Sequence, residues 1–179
     1  MTSENPKHHA QAPLIVTALL PLDLYSWANQ LRVDHFPPER NYLKAHVTLF
    51  HAIPEIYREE LKECLKRMAR DNAPVPAALT GVMKLGKGTA LQLESAGMLA
   101  LRDELAERFH GMLTAQDSHR PRLHITVQNK VSIEAAKALQ AELTPLVRPR
   151  DFAFRGLAMH AYMGGPWETL GEFSFRGAL

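Results

Sequence analysis

Apolar residues along the chain recur at two spacings, two and three-to-four, and each change of spacing marks an element boundary. LIVTALL, from Leu14 to Leu20, is a β-branched apolar run between Pro13 and Pro21 and reads as a buried strand. A short helix over Tyr25 to Val33 follows, ended by Pro37-Pro38. Strand alternation returns from Ala45 to Ala52. PEIYREELKECLKRMARD then sets Ile56, Leu61, Leu65 and Met68 at mostly helical spacing, with Pro54 and Glu55 where a helix start favours them. AALTGVMKLGKGTALQLES alternates about Gly86-Lys87-Gly88 and predicts a β-hairpin. Leu101, Leu105, Phe109 and Leu113 predict a helix over Gly97 to Leu113, and Leu123 to Val127 is a second short strand. SIEAAKALQAELTPLV is a helix with Ser132 as N-cap, and FAFRGLAMHAYM, Gly164-Gly165-Pro166 and WETLGEFSF form a closing hairpin.

The pattern repeats. Two strands, KAHVTLF (44–50) and RLHITVQ (122–128), share the order basic, spacer, His, branched apolar, Thr, apolar. At an offset of 124 − 46 = 78, His46 falls on His124, Thr48 on Thr126 and Lys44 on Arg122. Leu61, Leu65 and Met68 fall on Leu139, Leu143 and Leu146, and Gly86 falls on Gly164. Each half runs helix, His-x-Thr strand, helix, hairpin. Two copies at so long a period describe a duplicated domain rather than a solenoid. The expected architecture is α+β and bilobal, with an internal pseudo-twofold duplication and two mainly antiparallel sheets flanked by helices around a central cleft. Residues 1–13 read as a frayed tail without signal-peptide layout, and 14–179 as a single bilobal domain.

Composition narrows the setting. A net charge of +2 is too small for a protein that coats duplex DNA. One cysteine, Cys64, allows no intramolecular disulfide and fits a reducing compartment, so the cytoplasm is expected. No apolar run approaches the roughly 18 residues of a membrane helix. A monomer is expected.

Strand side chains alternate faces, so His46 and Thr48 point one way while Val47 and Leu49 point into the core. His124 and Thr126 stand likewise against Ile125 and Val127. A pseudo-twofold then gathers two imidazoles and two hydroxyls in one cleft, with Lys44 and Arg122 as phosphate clamps. One neutral and one protonated histidine suit a proton-in, proton-out reaction near neutral pH. Hydroxyls and cations suit the charged oxygens of a phosphodiester transition state.

HVTL and HITV at this spacing and in this order of elements resemble the 2H phosphoesterase superfamily. Its members include bacterial and archaeal 2′-5′ RNA ligases, cyclic phosphodiesterases and related RNA-end-processing enzymes. LKAHVTLFHAIP, LHITVQNKV and MGGPWE are similar to a bacterial 2′-5′ RNA ligase-like subgroup. The resemblance implies tetrads facing across a cleft and action on 2′,3′-cyclic phosphates, 2′-5′ linkages or ADP-ribose cyclic phosphate. Neither metal nor cofactor is implied. By the same resemblance His46 activates water, His124 protonates the leaving sugar oxygen, and Thr48 and Thr126 hold phosphate oxygens. The pseudo-symmetry leaves the two histidine roles exchangeable. RNA ends or small cyclic nucleotides are the implied substrates. A non-catalytic RNA-end or nucleotide-binding module in the same cleft is the alternative.

Tyr162 and Trp167, flanking the Gly-Gly-Pro turn, are the expected base-stacking residues, with Tyr42 and Phe50 as weaker ones. Arg120 and Lys130 are lesser clamps. His51 is expected on the strand face opposite His46. His35, His110, His119 and His160 read as surface or satisfied core residues. No zinc spacing occurs, and Gly86-Lys87-Gly88 lacks P-loop spacing.

Overall fold

Two four-stranded sheets, every pairing antiparallel, hold the predicted strands in a computed structural model that describes residues 12–178. The chain runs β1 (Leu14–Leu19), α1 (Leu22–His35), β2 (Val47–Ile53), α2 (Arg58–Asp71), β3 (Val75–Leu85) and β4 (Gly88–Glu94). It continues with α3 (Ala96–Arg108), β5 (His124–Gln128), α4 (Ile133–Leu143), β6 (Arg150–Phe154), β7 (Gly156–Tyr162) and β8 (Trp167–Ser174). Short 3₁₀ turns at Pro38–Arg40 and Glu55–Tyr57 lead towards β2 and α2. One sheet has the order β2-β1-β7-β8 and the other β5-β4-β3-β6. The α+β, two-sheet architecture expected from the duplication is therefore present.

The halves are not side by side but interwoven. The hairpin β3–β4 of the first half joins the sheet of β5, while β7–β8 of the second half joins the sheet of β1 and β2. FAFRGLAMHAYM, which reads as one strand, divides at Arg155. β6 pairs with β3 in one sheet and β7 with β1 and β8 in the other. Arg155 fixes this crossing, its backbone N–H bonding the Leu19 carbonyl at 2.9 Å and its Nε the Leu20 carbonyl at 2.9 Å. Gly156 follows because a Cβ there would run into the Phe173 carbonyl.

Helix faces follow the apolar stripes. α1 buries Leu24, Ala28 and Arg32, spaced by four, and packs on β5. α2 buries Leu61, Cys64, Leu65, Met68 and Ala69 against β7 and β8. α3 and α4 cover β3 and β4, and each is N-capped by a serine hydroxyl, Ser95 accepting from Met98 and Ser132 from Ala135. The sheets and helices close on one core that includes Phe50, Phe109, Phe154 and Leu91.

Several expectations shift. Ile56 is exposed, lying in the 3₁₀ turn before α2. α3 ends at Arg108, so Leu113 lies in the following loop. Leu146 is exposed beyond the end of α4, and Val147 occupies the buried position instead. Of the proposed tail, residues 1–11 lie outside the described residues. Ala12 is buried, and the Pro13 carbonyl accepts the Tyr162 N–H at 3.0 Å.

Both His-x-Thr strands lie at a sheet edge, where the ladder leaves backbone groups without partners. Side chains supply them. Arg32 on α1 is 2% exposed and donates to the Thr126 carbonyl at 2.9 Å, the Leu43 carbonyl at 3.1 Å and Asn41 Oδ1 at 3.0 Å. Reciprocally, buried Arg102 on α3 donates to the Leu49 carbonyl at 3.3 Å and to the Asp117 carbonyl. Each guanidinium also lies over an aromatic ring, Arg32 over Phe36 at 4.3 Å and Arg102 over Phe50 at 4.2 Å. Each arginine thus ties a helix of its own half to the backbone beside the other half's strand.

Arg32→Met leaves several buried carbonyls without donors. It is expected to lower unfolding free energy by about 3 kcal/mol. Chemical denaturation followed by circular dichroism tests this, and a loss under about 1 kcal/mol would show the brace to be dispensable.

Candidate active site

β2 and β5 present their histidines and threonines as the alternation requires. Val47, Leu49, Ile125 and Val127 are buried, while His46, Thr48, His124 and Thr126 are half-exposed. His46 sits one residue before β2 begins. The four polar residues line one cleft of about 510 Å³, together with Arg122, Trp167, His51 and the 116–121 loop.

The two imidazoles are held in the same way. His46 Nδ1 lies 2.7 Å from the Lys44 carbonyl, and His124 Nδ1 lies 2.6 Å from the Arg122 carbonyl. A carbonyl only accepts, so each Nδ1 carries a hydrogen and each Nε2 is left to exchange protons. The residue two positions before each histidine therefore acts through its backbone. Lys44 and Arg122 are equivalent there. Their side chains are not: Arg122 lines the cleft, whereas Lys44 lines a neighbouring cavity of about 420 Å³ on the other side of His46. Of the two expected phosphate clamps, the structure thus sets Arg122 in the cleft of the tetrads and Lys44 beside it.

Trp167 forms the wall between the two spaces. Its ring lies 4.6 Å from His46, tilted by 57°, and 5.2 Å from His160. His160 is fixed by Thr17 Oγ1 at 2.9 Å and Thr169 Oγ1 at 3.0 Å. Tyr162 pairs with Trp167 across the hairpin but is exposed and lines neither space, so only one of the two expected aromatics is at the site. Tyr42 borders the neighbouring cavity, and Phe50 is fully buried beneath Arg102.

Burial pushes the His46 pKa down to about 4, the Lys44 carbonyl opposing this and the charges of Arg32, His160 and His124 adding to it. Burial also lowers His160 to about 4 and Arg32 to about 10. Arg32 remains a cation at neutral pH, and among the described residues no carboxylate pairs with it. The free protein therefore holds His46 neutral beside an unbalanced positive charge. That combination suits a proton acceptor placed where an anion binds.

His51 departs from expectation. β-Bulges follow both threonines: β1 residues Val16 and Thr17 oppose Phe50 and Thr48, and β4 residues Thr89 and Ala90 oppose Gln128 and Thr126. The extra residues, Leu49 and Val127, change the parity of what comes after them. His51 consequently lines the same cleft as His46. Its Nδ1 lies 3.1 Å from Asp117 Oδ1, and the Asp117 carboxylate also takes the His51 and Ala52 backbone N–H groups at 2.8–2.9 Å. Asp117 is 1% exposed. Its burial raises the carboxyl pKa, but the His51 and Ala52 hydrogen bonds outweigh this and hold it below the usual value. His119 and Arg120 line the cleft as well, Arg120 spent partly on Asp103 at 2.7 Å. Lys130, with a φ of 59°, is not among the cleft residues. Among the described residues, no three or more His, Cys, Asp or Glu gather where a metal could be held.

The model of the 2′-5′ RNA ligase superfamily matches residues 20–166, so the chain belongs to that family, within the 2H phosphoesterases. Solved structures share the fold at low identity. TT0787 of Thermus thermophilus is 21% identical with a TM-score of 0.65, covering 93% of this chain and 100% of its own. E. coli LigT complexed with NADP+ is 16% identical with a TM-score of 0.61, covering 92% and 98%. LigT complexed with 3′-AMP is also 16% identical with a TM-score of 0.55, covering 92% and 98%. No curated protein matches. Among the described residues no helix is long and apolar enough to cross a membrane.

The lowered histidines give a stability signature. The unfolded chain takes up a proton on each near pH 6.5, the folded protein only near pH 4. The unfolded state thus binds more protons in that window, and stability falls as pH drops from about 6.5 towards 4. Denaturation midpoints at pH 7 and pH 4.5 should show the loss, and His160→Asn should reduce it. His46 titrating by NMR between pH 6 and 7 would overturn this account.

Proposed function

We propose that the cleft is the active site of a phosphodiesterase acting on RNA-type ends, opening 2′,3′-cyclic phosphates or cleaving or joining 2′-5′ linkages. The observation that carries this reading is the matched pair of imidazoles. Both are fixed through Nδ1 to the carbonyl two residues back, and both share one cleft with two threonines.

In the proposed hydrolysis, His46 Nε2 takes a proton from water as the water oxygen bonds to phosphorus. The bond from phosphorus to one ribose oxygen breaks, and His124, acting in its protonated form, gives that oxygen a proton. A phosphate monoester and a free hydroxyl result. The neutral state of free His46 supports giving it the base role. Thr48 and Thr126 hydroxyls donate to the non-bridging oxygens, and Arg122 balances their charge. Trp167 offers a face on which a base can stack. In joining, a ribose 5′-hydroxyl takes the place of water: its oxygen bonds to the phosphorus of a cyclic phosphate, His46 takes its proton, and one ring P–O bond breaks to a hydroxyl protonated by His124; water at about 55 M favours hydrolysis. The protein is proposed to act as a monomer in the cytoplasm, where Cys64 stays reduced in the core.

His46→Ala and His124→Ala should each lower kcat by about 10²–10⁴-fold, and the double variant should be little worse, because the pair acts as a unit. Thr48→Val should be milder. The assay follows product from a 2′,3′-cyclic nucleotide and a 2′-5′ dinucleotide with EDTA present, where turnover is expected to continue. Near wild-type turnover by either single histidine variant would sink the mechanism. Saturable binding without product would favour the binding module instead.

A further inference from the structure

Resting on the proposed cleft, we infer that His51, oriented by Asp117, forms a second anion subsite that takes a phosphate next to the scissile one. The substrate class is therefore a nucleotide or RNA end carrying at least two phosphates. Three observations lead here. His51 is held on Asp117 through Nδ1, its side chain is 45% exposed and it lines the cleft, so that in its protonated form, with Asp117 as counter-charge, Nε2 can donate to an anion there. Asp117 is the sole acid lining that cleft, and its carboxylate is already occupied by the His51 imidazole and two backbone N–H groups. The rest of the lining is apolar or carries donors, among them His119, Arg120, Arg122 and Gln116.

Position separates this subsite from the tetrads. His51 lies past the bulge at Leu49: Thr48 pairs with Thr17 and Phe50 with Val16, so His51 stands one to two rungs, on the order of 5 Å, further along the ladder than Thr48, beside the tetrad rather than within it. The arrangement also occurs once only. At the duplication offset, 51 + 78 = 129, the second half carries Asn129, so the subsite gives the cleft a direction. Arg122, at the end of the loop that holds Asp117, has no carboxylate partner among the described residues and can reach the same anion or the scissile one.

An RNA end would supply the second phosphate as its next phosphodiester, a mononucleotide as a 5′-phosphate. Calorimetry tests the inference without turnover by comparing adenosine 2′-monophosphate, adenosine 2′,5′-bisphosphate and a diadenosine dinucleotide ending in a 2′-phosphate. Wild type should bind the bisphosphate, the dinucleotide or both about tenfold or more tightly than the monophosphate. Which of the two gains identifies the source. His51→Asn, which installs the other half's residue at an exposed position, should remove most of that ratio, and His51→Gln should retain part of it. Equal binding of all three by wild type, no binding of any, or a ratio unchanged in His51→Asn would overturn the subsite. Loss of the ratio in a protein that turns over neither diester substrate would keep the subsite while removing the proposed activity.

Discussion

A cleft between two sheet edges can exist only if those edges do not pair with each other. β2 and β5 both lie at an edge, and both carry the polar residues of the site. Unpaired edge groups buried without partners would be destabilising, and bare edges invite pairing. The chain answers with side chains rather than with another strand. Arg32 and Arg102 cap carbonyls, Asn29 Oδ1 accepts the Ala45 N–H at 3.0 Å, and Asp117 collects the N–H groups of His51 and Ala52. Only long donors with several N–H groups span the gap from a helix to more than one carbonyl, which is why arginine fills the role.

That structural solution sets the electrostatics of the site. A buried guanidinium satisfied by neutral oxygens leaves its charge uncompensated, an arrangement that is unfavourable for an empty core and favourable where an anion binds. Arg32 is in that state, and its field adds to the burial that keeps His46 neutral. The brace at the lobe junction and the field felt by His46 therefore depend on the same residue.

The sequence pattern predicts the framework well because burial and alternation are local signals. Val47, Leu49, Ile125 and Val127 face the core as the period of two requires, and Ser132 caps its helix. What escaped that reading depends on non-local geometry. A bulge leaves no mark on composition, so the parity change at Leu49 could not be read, and with it went the placement of His51. The bulge duplicated at Val127 becomes visible only when the two ladders are compared. Arg32 and Arg102 occupy apolar-stripe positions on α1 and α3, and a buried charge at such a position is the one local hint that a distant partner awaits it. Asp117 sits in a loop whose sequence gives no hint of the strand it staples. For Lys44 and Tyr162 the strand pattern gives the neighbourhood but not the direction: Lys44 borders the neighbouring cavity and Tyr162 is exposed outside both spaces.

Duplication supplies two histidines of equal standing, and the proposed acid–base chemistry needs two of unequal standing. Their immediate supports are the same, a carbonyl two residues back on each. The difference lies one layer out. His46 is backed by the ring of Trp167, which His160 supports from behind, and both come from the β7–β8 hairpin. Among the described residues His124 has no aromatic neighbour of that kind. An aromatic wall removes water from one imidazole and, with Arg32 nearby, disfavours its charged form. The inequality of surroundings therefore comes from the side chains of the exchanged hairpins and not from the tetrads. Each half lends its hairpin to the other's sheet, but at the duplication offset Trp167 and His160 fall on Thr89 and Val82, so the exchange is symmetric and what it delivers is not.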